Sequence, residues 1–342
     1  MNSLFFCAVN QYHLKYMKHT AIFIMISLIA MTAKSQTTDE FKPAGKPLVK
    51  IFSNFHTDFS NDESFSSFEV TRLYLGYEYA FSPNFSATAI LDVADPKSGG
   101  LEMTAFAKNA FLNYHSSRLS VFFGIIPTTQ FKVQEDFWGA RYLEKSFQDA
   151  WGFNASADLG VSAAYRITDF LSADVIVANG EGYKKLASDS VLRTGVGVTL
   201  KPVKKLIGRA YYDFSSKDQT LSSLALFAGY AAERFSIAAE YNKQWNNGFR
   251  EDHNLYGPSF YGTWKAGKKA KVLARYDKLI SNTAEGTDSD WNLSRDGELF
   301  IAGVEFPVTR GIKLTPNLRG WNPAAPEQDF KTSVYFNIEI KL

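Results

Sequence analysis

From Leu48 to the last residue the chain repeats one device. Segments of about ten residues alternate apolar with polar side chains, and turn-forming clusters separate them. A period of two sends successive side chains to opposite faces of an extended strand. The final segment shows this plainly. Val334, Phe336, Ile338, Ile340 and Leu342 share one face, and Tyr335, Asn337, Glu339 and Lys341 share the other. A strand of a soluble sandwich reads the same way, so one segment alone decides nothing.

Repetition is more restrictive. Leu73, Leu75, Tyr77, Tyr79 and Phe81 oppose Arg72, Tyr74, Gly76 and Glu78, and Ser82-Pro83-Asn84 turns the chain into Phe85, Ala87, Ala89, Leu91 and Val93. The same hairpin recurs around Thr168-Asp169, Pro202–Lys205 and Glu233-Arg234. None of these apolar faces carries a charge among its members. A lipid-facing wall demands this, because a Lys or Arg at mid-depth costs about 2–4 kcal/mol. Sixteen strands are expected, beginning near residues 48, 68, 85, 103, 119, 156, 170, 192, 206, 221, 235, 256, 269, 298, 311 and 331. Their connections alternate short and long, with longer ones near 60–67, 94–102 and 127–155. Phe81, Phe85, Tyr165, Phe170, Phe235 and Phe306 cluster beside the short turns, as rings at a membrane interface do. Pro316 removes a ladder donor and should mark a bulge or frayed pairing. The registers of Thr104–Tyr114 and Leu221–Ala232 are ambiguous, and the first also reads as a helix.

The start of the chain bears on where such a fold would reside. Met17-Lys18-His19 precedes an apolar run from about Thr20 to Ala33, then Ala33-Lys34-Ser35. This reads as a cleaved secretory signal over residues 1–35, with Met17 as the expected start. Residues 36–46 read as a flexible lead-in, and 47–342 as the barrel. Cys7, the only cysteine, falls in the removed part, so no disulfide, Cys metal site or Cys nucleophile is expected in the mature chain. The full chain has 37 basic and 35 acidic residues. Three of the lysines precede Gln36, which leaves 34 against 35, a balance unsuited to nucleic acid. Beyond the leader, no apolar run reaches the length of a spanning helix, yet aromatic residues make up 15% of the chain. An all-β, transmembrane, antiparallel up-and-down barrel reconciles these facts. Its short turns would face the periplasm, its longer loops the exterior, and its lumen would be wet.

The longest connection, 127–155, is too aromatic for disorder and carries a helical turn around Glu135–Leu143. Folded inward, it would narrow the lumen. Lys132, Glu135, Asp136, Arg141, Glu144 and Lys145 are its constriction candidates. The alternative is an external lid whose aromatics pack on one another. Candidates for the lumen wall are Arg72, Glu78, Asp158, Arg209, Asp213, Glu240, Arg275, Asp277, Glu305 and Arg319. For any one of them, cross-strand pairing that merely keeps the interior polar is the simpler role.

Together, Arg72-Leu73-Tyr74-Leu75-Gly76-Tyr77, Gly124-Ile125-Ile126-Pro127, Ala157-Asp158-Leu159-Gly160-Val161 and Arg275-Tyr276-Asp277 carry a likeness over nearly the whole mature chain. The chain resembles the sixteen-stranded porin family that includes the phosphate-selective porins, in a form similar to those of Bacteroidetes-type bacteria. The resemblance implies passive diffusion of small hydrophilic solutes or ions across the outer membrane of a Gram-negative cell, often through homotrimers. It implies outer-membrane lipid as the surrounding partner and no cofactor. No dense ladder of inward arginines is visible, and the terminal Leu342 departs from the terminal Phe common in such barrels.

Catalysis has little to rest on. His56, His115 and His253 remain after the leader, and none has metal-ligand spacing. An outer-membrane hydrolase would need His56 or His253, and a closed structural or ligand-binding barrel is a further alternative. Gly195-Val196-Gly197 lacks the helix that a dinucleotide site requires.

Overall fold

A computed structural model of the chain describes residues 41–60, 63–94 and 102–342. Residues 1–35, expected as a leader, and 36–40 of the lead-in lie outside them. The body from Pro43 to Leu342 is a closed cylinder of sixteen antiparallel strands. These are β1 (Ala44–Ser60), β2 (Glu63–Ala80), β3 (Phe85–Ala94), β4 (Thr104–His115), β5 (Leu119–Pro127), β6 (Ala157–Arg166), β7 (Leu171–Ala178) and β8 (Arg193–Val203), followed by β9 (Leu206–Ser216), β10 (Thr220–Ala231), β11 (Phe235–Trp245), β12 (Leu255–Lys265), β13 (Lys271–Ser281), β14 (Gly297–Thr309), β15 (Ile312–Pro323) and β16 (Lys331–Lys341). Each strand pairs with its sequence neighbours. The seam closes where β1 meets β16, from Lys50 opposite Lys341 to Phe59 opposite Thr332. Closure leaves no free sheet edge, the condition for strands to cross a bilayer.

The alternating pattern sorts as expected. Leu75, Val196, Val198, Leu200, Ile237 and Phe260 are exposed on the outer wall, while Asp92, Thr199, Asp213 and Asn242 point inward and are buried. This is an inverted protein, greasy outside and polar within.

Four local features differ from the pattern read in the sequence. β1 begins at Ala44, three residues before the expected start of the barrel. The expected long connection at 60–67 is largely strand, because β1 runs to Ser60 and β2 begins at Glu63. β4 is a strand and not a helix. Its partners on β3 step from Asn109 opposite Ile90 to Ala107 opposite Leu91, leaving Lys108 as an extra bulged residue. That bulge breaks the alternation and explains the ambiguous pattern. β10 is ambiguous for another reason: its inward face is itself apolar, with Ala225 and Phe227 buried. Pro316 interrupts the ladder as expected. Pairing of β14 with β15 passes from Gly303–Asn317 to Phe306–Leu314, with no partners assigned between them.

Candidate pore constriction

The 127–155 connection does not form an external lid. It enters the cylinder and lies against the inner wall. Helix α1 (Lys132–Trp138) begins three residues before the expected helical turn and stops at Gly139. Gly139 adopts φ 65°, a left-handed cap that favours glycine, and its N–H donates to the Glu135 carbonyl at 3.0 Å. The short helix α2 (Phe147–Ala150) follows.

Aromatic packing seats the segment. Trp138 is buried against the Tyr261 ring at 5.4 Å, and Phe137 meets Phe227 edge-on at 5.4 Å. Trp138, Tyr142 and Leu143 share one apolar cluster with Phe52, Tyr74, Leu273 and Ile301 from the wall. This explains the apolar inward face of β10, which packs on protein where water would otherwise be.

Polar side chains of the wall then hold the loop backbone. Arg209 donates to the Thr129 carbonyl at 2.8 Å, Arg275 to Lys145 at 2.6 Å, and Arg319 to Leu143 at 2.9 Å. Asn337 donates to the Tyr142 carbonyl at 3.3 Å, and the Tyr261 hydroxyl lies 3.3 Å from that of Gln134. The Tyr142 hydroxyl donates to Glu305 at 2.8 Å. Strands β9, β12, β13, β14, β15 and β16 therefore all grip the segment.

Most of the expected lumen-lining residues lie beneath this loop and do not face open water. Arg209 pairs with Asp174 at 2.6 Å, Asp213 with Arg193 at 2.8 Å, and Arg275 with Asp277 at 2.7 Å. Glu305 meets Lys271 at 2.8 Å, and Glu240 accepts from Tyr261 at 2.8 Å. Asp158 accepts the backbone N–H groups of Leu159 and Gly180. Glu78 pairs with Lys46 at 2.9 Å, away from the loop. They point inward as their alternation requires, but they act as anchors and cross-strand pairs. Their burial follows from the loop's position, which strand periodicity does not encode.

A second set, less buried apart from Asp92 and Tyr74, gathers where the loop faces β2, β3 and β4. From the loop come Glu135 and Arg141, joined at 2.9 Å, with Asp149 on the other side of Arg141 at 3.0 Å. From the wall come Arg72 and Asp92, 3.6 Å apart, together with Tyr74 and Lys108. The connection after β7 adds Tyr183, whose hydroxyl donates to Asp92 at 2.6 Å, and Lys184. The other loop candidates are placed differently. Lys132 pairs with Asp136 one helical turn away on an exposed face. Glu144 reaches Arg319 at 3.6 Å, and the Lys145 carbonyl is held by Arg275.

Burial raises the Glu135 carboxyl above the usual range, although Arg141 opposes the shift. Burial alone would weaken the Arg141 cation, but Asp149, Tyr74 and Glu135 around it hold the proton more firmly than usual. Sequence reading did not select Asp149, Tyr74, Lys108, Tyr183 or Lys184 for this gap. Asp149 had a visible signal as a further acid in the same loop. The bulge that turns Lys108 inward had none beyond the broken alternation.

The two histidines of the hydrolase alternative are held by other groups. His56 Nδ1 lies 2.9 Å from the Asn54 Oδ1, and the ring stacks on Tyr335 at 5.0 Å. His253 Nδ1 lies 2.7 Å from the Glu251 carbonyl. Among the described residues, neither imidazole is hydrogen-bonded to a serine hydroxyl.

The cylinder with its inward loop can be set beside known structures. The outer membrane channel DcaP of Acinetobacter baumannii superposes with a TM-score of 0.65 at 10% identity, covering 90% of this chain and 100% of that one. Salmonella typhi OmpF gives 0.66 at 13% identity, covering 87% and 97%. The anion-selective porin from Comamonas acidovorans gives 0.62 at 11%, covering 88% and 100%. The fold is the porin fold. No protein-family model matches the chain, and no curated protein matches it in sequence. At such low identity the likeness extends to architecture and not to any residue of the gap.

Proposed function

We propose that this chain is an outer-membrane channel through which small hydrophilic solutes or ions diffuse passively, with the 127–155 loop setting the bore. One observation carries the reading. The loop is fastened along one side of the cylinder, and toward β2, β3 and β4 it leaves Glu135, Arg141 and Asp149, like Arg72 and Lys108 of the wall, only half-buried. Opposed charges across a narrow wet passage keep it hydrated and impose a transverse field, which gives weak ion preference and not strict selection. The barrel supplies the rest of the requirement, a wall that lipid tolerates and an interior that water tolerates. Export by a cleaved leader belongs to the same reading, and N-terminal sequencing of the mature protein should begin near Gln36.

Purified protein in a planar bilayer should give stepwise conductance. Deletion of residues 132–148 should raise the step by about twofold or more, because it removes the segment that occupies the lumen. A folded barrel with no conductance at all would overturn the reading.

A further inference from the structure

The lipid-facing wall is not uniformly rough. From β11 to β15 one register row of outward positions has a floor of small residues. Ile237 lies opposite Gly262, Gly262 opposite Ala274, Ala274 opposite Ala302, and Ala302 opposite Leu318. The next outward row toward the exterior is a ridge of rings, with Phe260 stacked on Tyr276 at 6.4 Å and Tyr276 against Phe300 at 5.1 Å. The row toward the periplasm stands up again as Trp264 and Val272, both exposed. Rows on one face lie about 7 Å apart along a strand. The small row is therefore the floor of a trough, which encloses about 950 Å³ between Leu206 of β9 and Leu318 of β15.

Charge gathers at the low end of this trough. Leu206 and Tyr230, which line it there, adjoin two tight periplasmic turns, Lys204-Lys205 before β9 and Glu233-Arg234 before β11. The Lys205 carbonyl accepts the Ala231 N–H at 2.8 Å, and the Arg234 carbonyl accepts that of Lys265 at 2.7 Å, so these basic turns stand side by side. Lys204, Lys205, Arg234 and Lys268 are all exposed, and among the described residues none of them forms an ion pair. Glu233 is the one acid in the two turns. Side chains at such tips lie beyond the wall, where a long stem can rest on apolar surface while its charge stays in water. Elsewhere on the same rim the charge is weaker: Ser82-Pro83-Asn84 has none, and Asp169 offsets Arg166.

We propose that the trough is a binding site for one glycerophospholipid of net negative headgroup, taken from the periplasmic leaflet. An acyl chain lies on the Gly262, Ala274 and Ala302 floor between the two ridges, and Lys205 and Arg234 meet the headgroup phosphate. The trough supplies apolar contact along a flexible chain, and the turns supply a charge opposite to the phosphate at the depth where headgroups lie. A second copy of this chain fits the face less well. Two barrels in one membrane share an orientation, so copies meeting through this face would bring the same basic turns together at the same depth. The site rests on the barrel's residence in a bilayer, which belongs to the reading above, and not on conduction.

Native mass spectrometry of the purified protein in an uncharged detergent tests it, with phosphatidylglycerol and phosphatidylcholine of the same acyl chains as probes. The protein should retain one phosphatidylglycerol at a concentration about tenfold or more below that needed for phosphatidylcholine. Lys205→Gln and Arg234→Gln should each raise the phosphatidylglycerol concentration by about fivefold, and by about thirtyfold together. Ala274→Leu with Ala302→Leu fills the floor without touching the interior, and should weaken both lipids. Arg118→Gln, in a turn away from the trough, should change nothing, and heat-modifiable migration on gels will confirm that each variant folds. Equal retention of the two lipids, or retention that the Lys205 and Arg234 double variant does not alter, would overturn the site. So would a lipid-free oligomer that Ala274→Leu with Ala302→Leu dissociates. A conducting barrel with any of these outcomes keeps the channel and loses the lipid site, whereas a barrel that holds phosphatidylglycerol and never conducts loses the channel reading alone.

Discussion

Replacing Arg275 with methionine should unfasten the loop and destabilise the barrel together. The guanidinium makes three contacts to the Asp277 carboxylate, at 2.7, 2.9 and 3.1 Å, and donates once to the Lys145 carbonyl at 2.6 Å. Asp277 is fully buried, and once Arg275 is gone only the Ser259 hydroxyl, at 2.6 Å, still serves it. Removing one member of such a pair costs about 3–5 kcal/mol, chiefly because the remaining charge is stranded. The lost bond to Lys145 adds about 1 kcal/mol, and the retained Ser259 bond offsets a similar amount. The expected loss is therefore about 3–5 kcal/mol. Arg275→Met combined with Asp277→Leu removes both charges and should recover most of it, to within about 1–2 kcal/mol of the parent. Reversible urea unfolding of barrels in lipid vesicles, followed by tryptophan emission, measures both variants. A single variant within 1 kcal/mol of the parent would refute the buried-anchor argument. So would a double variant as unstable as the single one.

Two more predictions concern the gap. Arg141→Glu removes the cation that Glu135 and Asp149 share, so the reversal potential across a potassium chloride gradient should move toward cation preference; an unchanged potential would place Arg141 outside the conducting path. Because burial raises the Glu135 carboxyl, it takes up its proton at a higher pH than an ordinary glutamate as the solution is acidified. Arg141 then loses a counter-charge, so anion preference should grow between pH 7 and pH 5, and Glu135→Gln should flatten that part of the profile. A drift toward cations on acidification would contradict the assignment.

The barrel was legible because a bilayer enforces period-two patterning without exception on its outer face. The nine residues Val334–Leu342 alone would not have sufficed; repetition of their pattern along the chain did, and β3, β5, β9, β11 and β16 begin at the residues where alternation starts. Legibility fails where another protein surface replaces water or lipid. Phe227 faces inward yet is apolar, because its neighbour is Phe137 of the loop. Arg209, Arg275 and Arg319 have the periodicity of lumen-lining residues, but whether an inward residue meets water or the loop depends on long-range packing that no local pattern records. Lys108 shows a third limit. A bulge appears in sequence only as a fault in the rhythm, and a fault does not say which way the extra side chain turns.

The position of Tyr142 has a consequence for assembly. Its carbonyl accepts from Asn337 of β16, and its ring lies 6.3 Å from that of Phe52 on β1. It thus bridges, from the inside, the two strands whose union completes the cylinder. These contacts join residues up to 195 positions apart in the chain. The loop cannot take its final seat until the last strand has arrived, and its arrival in turn latches the first strand to the last. A half-built molecule should therefore be wider than the finished one, with narrowing as the closing event of its biogenesis.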